Sequence, residues 1–253
     1  MSEAAPHQRK LDARIKRRDL DRWLASRLAP PAQRARLIAV YAAVYEIAKT
    51  AEKTQEARVG AIRLAWWRET IAGVGEGRLR AHPAAEALAA AHAATPLPLA
   101  AFEAMIDARA QDFEAAPFQS WSEQSIYVDA TAGGVFRLAL AALEISASDA
   151  FIRDAGRAWG LTGLLRARTF WAERGRRLIP VEARDAEAAA RLMANTAQAA
   201  YVQARASARA LASEAMPAIA YLSLVPRYLS AANPPSLLSR QLRILGASLW
   251  GRI

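Results

Sequence analysis

Few residues in this chain have both the type and the spacing to do chemistry. There is no cysteine, which excludes disulfide frameworks, thiolate zinc sites, iron–sulfur clusters and cysteine nucleophiles. The three histidines, His7, His82 and His92, are scattered without metal-ligand spacing and read as surface or loop residues. A hard cation such as Mg²⁺ needs carboxylates about one helical turn apart. Glu46 and Glu52 stand six residues apart, and Glu52 is flanked by Lys49 and Lys53 at distances suited to ordinary helical pairing. Asp107, Arg109 and Asp112 form a mixed acidic and basic segment, and Arg68 and Arg166 are expected to pair with Asp107, Asp112 or Glu69. Trp66 and Trp67, between Arg63 and Arg68, read first as packing residues.

The elements that must position these groups are helices. Leu37, Val40, Val44 and Ile47 recur at three, four and three, which places them on one helical face. Leu238, Leu242, Leu245, Leu249 and Ile253 form a second such stripe, expected to pack on the body as a closing helix. Alternating β-branched runs are absent, and alanine, leucine and arginine favour helix. Breaks at Pro30-Pro31, Gly73 to Gly77, Pro83, Pro96 to Pro98, Pro117, Pro180, Pro217 and Asn233-Pro234-Pro235 divide the chain into eight to ten helices. Ser122, followed by Glu123 and Gln124, marks a helix start. No linker or repeat separates two halves, so residues 1–253 read as one all-α domain, with residues 1–18 a short, solvated basic arm.

Composition fits a globular chain of 253 residues, 53% apolar and 23% charged. The net charge is +10, carried almost wholly by arginine, since only Lys10, Lys16, Lys49 and Lys53 are lysine. Such a surface favours anions: phospholipid, nucleic acid or a diphosphate. Aromatic and basic residues do not alternate as in a nucleic-acid module, so nucleic acid is not expected as a partner. No run of 18 apolar residues is present to span a membrane, and the polar N-terminal segment lacks the apolar core of a secretory signal.

The order of several segments resembles the squalene/phytoene synthase family. These are Ile38 to Ile47 around Tyr41, Ile62-Arg63-Leu64-Ala65-Trp66-Trp67-Arg68, Asp107 to Asp112, Ala132-Gly133-Gly134-Val135, and Gly156 to Pro180. The resemblance spans about residues 19–182. It implies the isoprenoid-synthase fold, an antiparallel helix bundle around a central cavity, with Tyr41, Arg63, Trp66, Trp67, Arg68 and Asp112 as structural motif residues. The family binds Mg²⁺ through two aspartate clusters. On that pattern Lys49, Thr50 and Lys53 stand where the first cluster belongs. In the second, Arg166 keeps the arginine, Ala167 and Trp171 take the aspartate positions, and Gly160 and Gly163 replace Gln and Asn.

Glu46-Ile47-Ala48, Ile62 to Trp67 and Leu164 to Ala167 further resemble the non-catalytic branch related to the mitochondrial complex I assembly factor of this family. That resemblance implies no catalytic residue, no cofactor, and a protein partner among respiratory complex subunits or assembly intermediates. Two other readings stay open. One is a diverged prenyltransferase, the only reading that requires Mg²⁺. The other is a prenyl- or phospholipid-binding module in which Lys49, Lys53, Arg166 and Arg168 hold a phosphate by charge alone. The expected location is cytoplasmic, peripheral on an inner membrane. The basic stretch 153–177 and the acid-free stretch 215–253 are the segments able to meet an anionic surface.

Overall fold

The computed structural model describes residues 4–54, 56–230 and 235–253. Among the described residues fourteen α-helical segments follow one another: α1 (Ala4–Arg18), α2 (Leu20–Ser26), α3 (Pro31–Ala48), α4 (Thr50–Lys53), α5 (Ala57–Gly75), α6 (Pro83–Ala94) and α7 (Ala100–Arg109). Then come α8 (Trp121–Val128), α9 (Gly134–Ala142), α10 (Asp149–Ala172), α11 (Ala186–Ser207), α12 (Met216–Ile219), α13 (Val225–Ser230) and α14 (Leu237–Trp250). Among the described residues there is no strand, and the all-α expectation holds. The count exceeds the expected eight to ten because short turns such as α4, α12 and α13 lie inside segments the punctuation leaves whole. Asn233 and Pro234, expected in a turn, lie outside the described residues.

Local chemistry accounts for the boundaries. Pro31 and Pro83 open α3 and α6 at the first turn, where a missing N–H costs nothing. Ser148 caps α10 by accepting the Phe151 N–H, and Asp185 caps α11 through the N–H groups of Glu187 and Ala188. The start expected at Ser122 lies two residues earlier: the Ser120 hydroxyl accepts the Glu123 N–H, and Glu123 reaches back to the Gln119 N–H.

Helix α3 is the axis of the bundle. Its predicted stripe of Leu37, Val40, Val44 and Ile47 is buried, but so are Ile38, Ala39, Tyr41, Ala42 and Ala43 on its other sides. It packs against α1, α6 and α9, while α10 lies along α11. The basic arm expected to be solvated is instead helix α1, because Leu11 and Ile15, one turn apart, are fully buried in the main core. Arg14 on the same helix pairs with the buried Glu46 at 2.7 Å. The leucine stripe of α14 is a second correction: Ile244, Ala247 and Ile253 face the core, while Leu238, Leu242, Leu245 and Leu249 face outward.

One long rod carries the centre. Helices α8 and α9 are joined without a break by a wide π turn at Asp129–Gly133. Gly133 in this turn meets Gly156 of α10 so closely that a Cβ on Gly156 would lie 2.7 Å from the Gly133 backbone.

Candidate functional site

A cavity of about 250 Å³ opens between α2, α3, α8, α9 and α10. Three arginines, Arg18, Arg22 and Arg109, line its wall, and the last two are buried in it. Arg22 pairs with Asp19 at 2.6 Å and donates from Nε to the Tyr221 hydroxyl at 3.3 Å. Its guanidinium also lies 5.2 Å from the Tyr221 ring and 5.8 Å from that of Trp159. Burial works against its charge, and Asp19 with Tyr221 more than offsets this, so the pKa is raised. Burial also pushes the Tyr221 hydroxyl up to about 12, which keeps it neutral.

Arg109, at the end of α7, donates from Nη1 to Asp112 at 3.0 Å and to the Tyr127 hydroxyl at 2.7 Å. Tyr127 donates to the other Asp112 oxygen at 2.7 Å, and Arg176 approaches the same oxygen at 3.5 Å. Asp112 thus sits buried between two guanidinium groups and a phenol. The Nε of Arg109 is buried with no acceptor among the described residues. A third carboxylate, Asp129 in the π turn, holds Arg157 in a two-pronged pair at 2.7 and 2.9 Å.

Asp19, the acid on the cavity wall, and Asp112 and Asp129 behind it are each matched to arginine. From α3 the wall receives Val44, Tyr45 and Ala48; from α10 it receives Trp159, Gly160, Gly163 and Leu164. Mg²⁺ requires several converging oxygen ligands, usually carboxylates, and this donor set does not fit one. Among the described residues no three acidic or histidine side chains cluster as metal ligands.

The four basic residues singled out in the sequence do not meet. Lys49 and Lys53 line a separate hollow of about 290 Å³ with Glu46, Arg63, Trp66, Trp67 and His82. There Lys49 forms an ion pair with Glu46 and carries a pKa lowered by burial. Arg166 lies over the Tyr228 ring at 3.8 Å rather than in the expected ion pair with Asp107, Asp112 or Glu69, because α10 packs against α13, which carries that ring. Arg168 pairs with Glu187 of α11 at 3.1 Å. The expected Arg68–Asp107 pair does form. Tyr41 is fully buried, and Trp66 and Trp67 pack edge-on with each other and with His82. Trp171 packs on Phe170 and Arg176, away from the cavity wall.

Arg22 was not singled out in the sequence, and Arg109 only as part of a motif. The available signal was their spacing: Asp19/Arg22 and Arg109/Asp112 each stand three apart, within reach along a helix.

His82 is more than a loop residue. Its Nδ1 accepts the Ala84 N–H at 3.2 Å and so caps α6, which requires that nitrogen to be unprotonated. Burial lowers its pKa below 6.5, partly offset by Glu46, whose carboxylate lies 3.9 Å from Nε2. As pH falls through 6.5 the unfolded chain takes a proton that the folded one resists, so stability declines. A melting series from about pH 8 to about pH 5 should show this decline, and His82→Asn, which keeps a capping oxygen, should flatten it.

The profile of the squalene/phytoene synthase family matches residues 15–223. The chain belongs to that family. Two solved structures share its fold at low identity. A dehydrosqualene synthase in complex with ligand superposes with a TM-score of 0.79 at 16% identity, over 98% of this chain and 97% of its own. The squalene synthase HpnC from Alicyclobacillus acidocaldarius gives 0.74 at 15% identity, over 98% and 95%. A search of curated proteins gave no match. The family fold expected from the motifs is thus the fold observed, with α3, the α8–α9 rod and α10 walling its central cavity.

Proposed function

We propose that this squalene/phytoene synthase-family chain is non-catalytic and works as an assembly or interaction factor. The partner implied by its resemblance to the complex I assembly branch is a subunit or assembly intermediate of respiratory NADH dehydrogenase. One observation carries the reading: Asp19, Asp112 and Asp129 are each paired with arginine, while Ala48, Gly160 and Gly163 face the cavity. Ionising an allylic diphosphate needs cations on the departing group, and Mg²⁺ normally supplies them.

Incubating the protein with farnesyl or geranylgeranyl diphosphate and Mg²⁺ should give no squalene, phytoene or presqualene intermediate above a heat-killed control. Any such product would overturn the reading. Deleting the gene should lower the amount of assembled NADH dehydrogenase, and an unchanged amount would remove the assembly role.

A second reading, binding of a prenyl or phospholipid phosphate, is favoured by Arg22 and by the acceptor-free Nε of Arg109 at the cavity. Calorimetry with a non-hydrolysable farnesyl diphosphate analogue separates the cases. Metal-independent binding that Arg109→Met removes supports a phosphate site, and Mg²⁺-dependent binding supports the enzyme.

A further inference from the structure

Helix α14 is apolar on two opposite sides. The inner side seats Ile244 and Ala247 in the core, and Arg240 ties the helix to the buried Asp21 at 3.5 Å. Gly251, in the left-handed conformation at φ 60°, ends the helix and folds the chain back so that Ile253 is buried too. The outer side presents Leu238, Leu242, Leu245 and Leu249 at spacings of four, three and four. Leu249 is 81% exposed and the adjoining Trp250 77%. Each leucine left in water forgoes the gain of burial, so a continuous row of them calls for a covering surface.

The surroundings specify its charge. Residues 188–253 contain seven arginines, no lysine and a single acid, Glu214. Beside the leucine row, a cleft of about 720 Å³ is lined by Tyr201, Arg205, Arg243, Trp250 and Arg252. Among the described residues, none of these three arginines has a carboxylate within ion-pair distance.

We propose that α14 docks this protein on an anionic membrane surface, with the leucine row and Trp250 entering the interface and Arg205, Arg243 and Arg252 meeting lipid phosphates. An apolar helical face with an aromatic end and flanking arginines is the form an interfacial helix takes. A second copy is the poorer occupant, because pairing two such faces would bring their arginines together without counter-charge. Among the described residues no helix is long and apolar enough to cross a membrane, so attachment through α14 is peripheral. The proposal does not depend on how the central cavity is read.

The test is flotation of the full chain with phosphatidylcholine vesicles, with and without about one-third phosphatidylglycerol. Wild type should float with the anionic vesicles, and salt should weaken its binding. Leu242→Ser/Leu245→Ser/Leu249→Ser removes only outward side chains and should keep its circular dichroism and melting curve. Its partitioning should fall roughly a hundredfold. Arg205→Gln/Arg243→Gln/Arg252→Gln should lose about fivefold per charge, again roughly a hundredfold in all. Absence of wild-type flotation, or undiminished flotation of the folded leucine variant, would overturn the proposal. So would self-association that the leucine changes abolish without any vesicle binding, since the row would then belong to a second copy.

Discussion

Replacing Asp112 by alanine is expected to lower the unfolding free energy by about 3–5 kcal/mol, the usual cost of stranding buried charge. Arg109 would keep its position beside Tyr127 but lose its carboxylate, and Arg176 would lose its ion-pair partner. Tyr127 cannot substitute, because burial raises its pKa and the phenol stays neutral. Urea denaturation followed by circular dichroism measures the loss. The double variant Asp112→Ala/Arg109→Met removes one stranded charge with the carboxylate and should recover part of it. A single variant as stable as wild type would show that the cluster contributes no net stability.

The second large effect comes from a site without charge. Gly156→Val should cost about 3 kcal/mol, since its Cβ would sit 2.7 Å from the Gly133 backbone and push α10 off the π turn. Gly163, seven residues further along the same helix, has nothing within 4 Å of an added Cβ. There alanine should stabilise by up to about 1 kcal/mol through helix propensity alone. Opposite signs for two glycines on one helix, read from thermal melts, would locate the contact; similar small effects would place the rod farther from α10.

These two sites also mark what could be read in the sequence. Helical class was legible because α-helical spacing repeats in segment after segment, and the glycine-rich stretch Ala132 to Val135 stood out as a motif. The orientation of individual helices was less legible. From Leu37 to Val44 helix α3 is buried on every side, so its stripe identifies a helix but not a face. On α14 the longer row of leucines points outward while Ile244 and Ala247 hold the core, and periodicity alone cannot choose between two apolar sides. The same difficulty moved the basic site. Lys49 and Lys53 follow the motif register, yet Val44 and Ala48 face the cavity, because one residue of offset turns a helix by about 100°. Arg22 and Arg109 remained hidden among many arginines, since what distinguishes them is burial beside Asp19, Asp112, Tyr127 and Tyr221.

The wide turn at Asp129–Gly133 has a consequence for how such a cavity can change. Tyr127, Thr131 and Val135 all reach its wall at steps of four residues, although in a regular helix each such step drifts by about 40°. The turn absorbs that drift, and Thr131 steadies it by donating its hydroxyl to the Tyr127 carbonyl at 2.7 Å. Loss of one residue there would restore regular winding while both ends of the rod keep their seated faces, so only the residues of the turn itself would present differently to the wall. A single-codon insertion or deletion is thus the shortest mutational path between two linings of the same chamber. It would act as a dial on its contents, requiring no substitution at the positions that line it.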